Sequence, residues 1–330
     1  MDDISLFNQK RKVIVTIFCL FAIFQSGLRE IDDPYRDGDD TPNYQNMYKE
    51  IDEITWSTLC EKFSFYSSEY EEREGGYSFF VKATQLVYND FRFFMFLSAA
   101  ILIIPIGMII YKYVESYEGL FLSFLIYFAL FGSLVNGLMR QAVVLGVILF
   151  SLRYVKTQNW KKYFATLALL FTIHTSAIIA IPFYFMPRYF SSRRWVLIAL
   201  VAAPFLTMSV GFLISRLLAG TVYDAYIDSD NLGLVNLLLL ISFISLLVYL
   251  HYDKIEQVED YEYLICGVIG TLACMPFIRM GGALLRVSYY YFLFFIPLIP
   301  VVIDRICSDR FVYRMSYLFS ICFFLFLLLH

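Results

Sequence analysis

Apolar residues fill almost the whole chain in blocks of roughly 15 to 22, set apart by short charged breaks. The blocks fall at residues 13–26, 93–111, 120–135, 138–154, 163–184, 195–218, 232–250, 263–277 and 288–303, with a last run to 329. Blocks of that length predict helices that cross a bilayer, so the expected fold class is all-α, a polytopic membrane helix bundle of about 10–11 crossings. Lys10, Arg11 and Lys12 precede the first block, which places the N-terminus in the cytoplasm. No small-x-small site follows that block, so it is read as an anchor, not a cleaved leader. The whole of 1–330 is expected to form one integral membrane domain, with residues 29–92 as an acidic outer loop.

Within that loop, residues 28–48 organise the rest. Asp32, Asp33, Asp37, Asp39 and Asp40 cannot sit in hydrocarbon and must lie in water at a membrane face. Gly38 and Pro42 bracket the densest acidic part and predict a shaped turn. Such a turn suits acid or base chemistry, and equally suits a solvated loop that orients the protein. Residues 77–88 alternate at helical spacing and predict an amphipathic helix lying along the interface.

Two further places break the simple pattern. Residues 136–141 join two crossings through a link too short for a free loop, so Arg140 is held at or just below the outer surface. A guanidinium there needs a protein carboxylate or a substrate phosphate, or else it snorkels to lipid headgroups. The block at 163–184 has cations on both flanks: Lys161 and Lys162 before it, Arg188, Arg193 and Arg194 after it. If both flanks are cytoplasmic, the block is a broken hairpin that turns near His174, each half about 12 residues or 18 Å long. Broken helices need protein or a wet cavity around the freed backbone. His174 is then either a packing residue or a functional group at the hairpin's tip.

Composition narrows the function classes. Hydrophobic residues make up 59% of the chain, above the share of a soluble domain. A net charge of −3 leaves no basic field, so nucleic acid is not an expected partner. Of the six cysteines, all but Cys60 lie in or beside apolar blocks, where they read as small packing residues and not a disulfide framework. Neither a zinc-type Cys/His spacing nor a glycine-rich phosphate loop occurs.

On this topology the outer face collects Arg29, Arg36, Asp39, Asp40, Arg140, His174, Arg279 and Arg286. Arg279 and Arg286 would align on a continuous helix, or Gly281 and Gly282 break it and present backbone N–H groups to an anion. Tyr289 and Tyr290 follow, offering ring faces to a sugar or hydroxyls to phosphate. Arginines beside carboxylates and one histidine suit a lipid-pyrophosphate donor: the arginines hold the leaving diphosphate, and a carboxylate or the imidazole takes a proton from a sugar hydroxyl. Structural ion pairs, as in a transporter, would use the same residue types. The arginines supply the positive charge a metal would otherwise give, so no metal or other cofactor is inferred.

Taken together, GLR and DGDDTPNYQNMY after the first block, then NGLMRQAVVLGVILFSLRY, FTIHTSAIIAIPFYF and LLRVSYYYFLFFIPLIP, resemble the EpsG family of bacterial polysaccharide polymerases, related in role to the Wzy polymerases. The resemblance implies a GT-C-like enzyme of the bacterial inner membrane. It would transfer a growing glycan from undecaprenyl pyrophosphate onto another lipid-linked repeat unit at the outer face. The products would be O-antigen, capsule or exopolysaccharide chains, and the implied partners are undecaprenyl-pyrophosphate-linked oligosaccharides, membrane lipid, a chain-length regulator and a flippase. Matching motif positions are Arg29, Asp40, Thr41, Tyr44, Arg140, Gln141, His174, Arg286 and Tyr290. The run IDDPYRD lengthens the segment before GDDT, which leaves both Asp32–Asp33 and Asp39–Asp40 as candidates for the acidic group nearest the chemistry. The expected roles are His174 or Asp40 as base, with Arg140 and Arg286 on the pyrophosphate. Arg279 assists; Arg29, Asp39, Thr41, Tyr44, Gln141 and Tyr290 line the substrate. The rivals are a flippase of lipid-linked oligosaccharide, a GT-C transferase using a lipid monophosphate donor, and an acyltransferase of surface glycans.

Overall fold

The computed structural model describes residues 3–31, 40–62, 75–218 and 232–329, and among them every regular element is a helix. In chain order they are α1 (Asp3–Gly27), α2 (Thr41–Glu53), α3 (Trp56–Lys62), α4 (Gly75–Val87), α5 (Phe91–Tyr113), α6 (Tyr117–Gly137), α7 (Met139–Lys156) and α8 (Trp160–Ile173). A 3-10 helix (Thr175–Tyr184) follows, then α9 (Met186–Tyr189), α10 (Arg193–Leu218), α11 (Leu232–Leu250), α12 (Tyr252–Ile255) and α13 (Tyr261–Ala273). The last elements are α14 (Met275–Met280), α15 (Gly282–Phe292), α16 (Phe295–Ile306) and α17 (Arg310–Leu329). The protein is a polytopic helical membrane protein, as its apolar blocks predict.

Length and apolarity alone qualify three described helices as membrane spans: Phe91–Tyr113, Tyr117–Gly137 and Arg310–Leu328. A fourth is the pair Leu284–Phe292 and Phe295–Ile306, bent by 47°. Against ten or eleven expected crossings, three described helices qualify by length and composition, or four with the bent pair. Helix α1 carries Lys10, Arg11 and Lys12 inside it, α7 carries Arg140, Arg153 and Lys156, and α8 has only 14 residues. The first helix begins before its apolar block and takes in the basic triplet. Arg11 explains why: it donates to the Tyr111 carbonyl at 2.7 Å and to Asn8 at 3.1 Å, so it caps the last turn of α5.

The chain forms two compact units. The first comprises Met1–Lys112, Phe124–Tyr184 and Leu327–His330. Its helices meet where side chains are absent: a Cβ on Gly146 of α7 would overlap the Ile101 carbonyl of α5, and one on Gly27 would press into the Phe96 ring. Stacked Phe18 and Phe124, with centroids 4.5 Å apart, seal α1 to α6. Helices α2 and α4 are pinned to each other by polar contacts. Gln85 Nε2 donates to the Tyr48 carbonyl at 2.7 Å, and Lys82 Nζ donates to the Ile51 and Asp52 carbonyls at 3.0 and 2.9 Å, a cation on a helix C-terminus. Residues 77–87 are helical, as expected, and helix α4 buries Tyr77, Val81, Thr84 and Gln85 and exposes Leu86 and Val87 just before α5.

The second unit comprises Tyr113–Ser123 and Phe185–Phe326. Helices α13 and α15 cross closely, because a Cβ on Gly270 would overlap the Tyr291 ring. The C-terminal helix is tied by a carboxylate clasp. Asp304 Oδ1 accepts from Tyr317 at 2.6 Å, and Oδ2 accepts from Ser116 at 2.9 Å, which holds α16, α17 and the start of α6 together.

Candidate active site

The expected hairpin forms. Helix α8 ends at His174, whose backbone turns extended (φ −154°, ψ 120°), and the following 3-10 helix runs back along α8. Tyr163 Oη donates to the Ala180 carbonyl at 2.7 Å, and Tyr184 Oη donates to the Gln158 carbonyl at 3.0 Å. Residue 184 thus returns beside residue 158, so the block reverses and does not cross once. At 14 and 10 residues the two arms are about 20 Å each, short of a bilayer's hydrocarbon core. His174 sits at the tip, half-buried, as the pattern of flanking cations requires.

Arg140 stands in the first turn of α7. Helix α6 ends at Gly137, Leu138 takes a non-helical conformation (φ −132°, ψ 46°), and α7 starts at Met139. The junction is as short as expected, and it leaves the Arg140 side chain half-buried beside the positive end of an 18-residue helix. Two tyrosine rings flank the guanidinium, Tyr44 of α2 at 5.8 Å and Tyr77 of α4 at 5.5 Å to the centroids. The two rings meet edge to face with centroids 6.1 Å apart. The Tyr44 oxygen also accepts hydrogen bonds from the Arg140 main chain and side chain. Burial raises the pKa of both phenols, and the nearby arginine offsets only part of that rise. Both hydroxyls are therefore protonated at neutral pH, fit to donate hydrogen bonds and not to act as bases.

Sequence reasoning missed Tyr77. Its ring is 1% exposed and its hydroxyl has no hydrogen-bond partner among the described residues. The preceding Gly76 packs on α8, where a Cβ would overlap the Thr172 side chain, two residues from His174. Helix α4 therefore touches both the Arg140 cage and the hairpin's tip, and it joins the two places the sequence singled out separately. The available signal was the helical spacing of 77–88; which neighbours that face would meet is decided by contacts across 63 residues to Arg140 and 33 to Tyr44, which spacing does not carry.

Arg29 and Thr41 lie beneath this cage. Arg29, 6% exposed, donates to the Ser26 carbonyl at 2.6 Å, to Thr41 Oγ1 at 2.9 Å and to the Asn136 carbonyl at 3.1 Å. Thr41 Oγ1 donates to the same Asn136 carbonyl at 2.9 Å. These bonds tie the end of α1, the start of α2 and the end of α6 together, four residues before Arg140. Asp40 flanks α2 as its N-cap residue and is half-buried; Gln141 is buried on α7. Asp39, with Asp32, Asp33 and Arg36, lies outside the described residues.

A family model matches residues 12–330, nearly the full length. The chain belongs to the EpsG family. No curated protein and no solved structure matches it. EpsG membership places the protein in polysaccharide biosynthesis as an integral membrane protein. Of the family-type motifs, the first unit carries Arg29, Asp40, Thr41, Tyr44, Arg140, Gln141 and His174, and the second unit carries Arg279, Arg286 and Tyr290. In that second unit Gly281, with φ 70°, separates α14 from α15, so Arg279 and Arg286 stand on different helices. Of the two alternatives, the glycine break is the one that forms, and both arginines are half-buried. Tyr290 is 1% exposed, packed in the core of its unit.

Proposed function

We propose that this EpsG protein is a polysaccharide polymerase that transfers a growing glycan from undecaprenyl pyrophosphate to a lipid-linked repeat unit at the outer face of the bacterial inner membrane. The observation that carries the reading is the caged Arg140. A guanidinium at a helix N-terminus, flanked by two protonated phenols, is a site for a diphosphate. The acceptor's hydroxyl oxygen attacks the anomeric carbon of the donor while the bond to the diphosphate oxygen breaks. Arg140 and the positive end of α7 stabilise the negative charge that develops on the departing diphosphate. The hydroxyl proton passes to His174 or Asp40. Arg279 and Arg286 are the anion-binding residues of the second unit. Arg29 and Thr41 serve this site by fixing the α6–α7 junction from which Arg140 projects.

Deletion of the gene and complementation with variants test the reading, with surface polysaccharide resolved by electrophoresis. Loss of the long ladder with retention of a single-repeat band, restored by wild type but not by Arg140→Ala, is the expected result. Loss of the single-repeat band as well would assign translocation instead.

A further inference from the structure

Helices α1 and α5 leave an apolar groove of 330 Å³ between them, away from the Arg140 cage. On α1 its wall is Lys12, Thr16, Leu20 and Ile23; on α5 it is Ile104 and Met108. The α1 positions recur every three or four residues, so they form one stripe along the helix. From Lys12 to Ile23 that stripe is about 16 Å long, roughly half the thickness of a hydrocarbon core. The floor is closed where Gly107 meets Cys19, since a Cβ on that glycine would overlap the Cys19 sulfur. Along the stripe the polar side chains are engaged: Thr16 Oγ1 donates to the Lys12 carbonyl at 2.8 Å, and Cys19 Sγ reaches the Ile103 carbonyl at 3.8 Å; Tyr111 lines the groove as well. The walls therefore suit hydrocarbon and offer a sugar nothing.

One end of the groove is charged. Lys12 is exposed there and makes no ion pair among the described residues, whereas its neighbour Arg11 is turned inward onto Tyr111. We propose that this groove binds one acyl chain of an anionic phospholipid, with the lipid's phosphate at the Lys12 ammonium. Three features select that occupant over a neutral lipid or a longer isoprenoid: a length of one leaflet, a dry apolar wall and a single cation at the mouth. By the positive-inside rule Lys12 faces the cytoplasmic leaflet, the side opposite the proposed sugar chemistry, so the lipid site stands whether or not that chemistry does.

Native mass spectrometry of the purified full chain tests it, titrating phosphatidylglycerol, phosphatidylcholine and an undecaprenyl phosphate. Wild type is expected to hold phosphatidylglycerol about fivefold more tightly than phosphatidylcholine, the worth of one lysine near a headgroup. Lys12→Gln removes that preference, while Lys161→Gln, a lysine on α8 remote from the groove, keeps it. Leu20→Trp, which fills the groove, weakens both phospholipids. Should a variant unfold in a thermal melt, competition on wild type decides alone. Equal affinity for the two phospholipids, an unchanged preference in Lys12→Gln, or displacement of phosphatidylglycerol by undecaprenyl phosphate at equal concentration overturns the proposal.

Discussion

Replacing Arg29 separates a residue that holds the site from one that touches substrate. Its guanidinium makes four hydrogen bonds within 3.1 Å, to the Ser26 carbonyl and hydroxyl, the Thr41 hydroxyl and the Asn136 carbonyl. In Arg29→Met the side chain keeps its bulk and loses every donor. The Ser26 carbonyl then loses its buried side-chain donor and the Asn136 carbonyl keeps only Thr41, at about 1–3 kcal/mol together. A net loss of that size follows, with part of it recovered in Arg29→Lys, whose single ammonium cannot span the same fork. Thr41→Val removes the hydroxyl that Arg29 shares with Asn136. The double mutant should therefore fall short of the sum of the singles by about 1 kcal/mol. Thermal unfolding in nanodiscs gives the stability order, and the polysaccharide ladder gives activity per folded molecule. If Arg29 positions the α6–α7 junction, melting temperature and ladder fall together. An Arg29→Met protein that melts like wild type and makes no ladder would refute the positioning role and put the guanidinium on the substrate.

Other consequences are sharper for being single-atom changes. Tyr77→Phe deletes a buried hydroxyl that lacks a partner but keeps the ring against Arg140, so the protein should gain about 1 kcal/mol by thermal melt; a loss of stability would mean the hydroxyl is bonded in the folded protein. Gly76→Val drives side-chain atoms into Thr172 and should cost well over 1 kcal/mol, with Thr172→Ala in the same chain restoring part of it; no rescue in the double mutant would mean that α4 does not seat on α8 there. Asp304→Ala leaves the Tyr317 and Ser116 hydroxyls without their shared acceptor and should raise protease cleavage in residues 306–312 several-fold, while Asp304→Asn, which retains one oxygen, does so less; equal cleavage in wild type and both variants would dismiss the clasp.

How much of this was legible beforehand depends on the range of the contact that decides each feature. The helical spans α5, α6 and α10 fall within a few residues of the apolar blocks at 93–111, 120–135 and 195–218, because burial in lipid or in protein selects the same residues along one segment. The hairpin at His174 was legible too, since cations on both flanks favour a block that turns back on itself. Breaks inside apolar blocks were less so. The block at 263–277 stops as a helix at Ala273, and the one at 288–303 bends between Phe292 and Phe295, where no charge marks the place. Side-chain roles were the least legible. Arg29 reads as a substrate-lining residue from its motif position, and its hydrogen bonds to Ser26, Thr41 and Asn136, the last 107 residues away, are not visible in the sequence. Tyr77 looked like one aromatic among many, and it packs on Arg140 from the helix whose Gly76 meets the hairpin. Both cases turn on the same physics. A polar group near a bilayer must find partners, and a sequence shows that need without showing which distant backbone meets it.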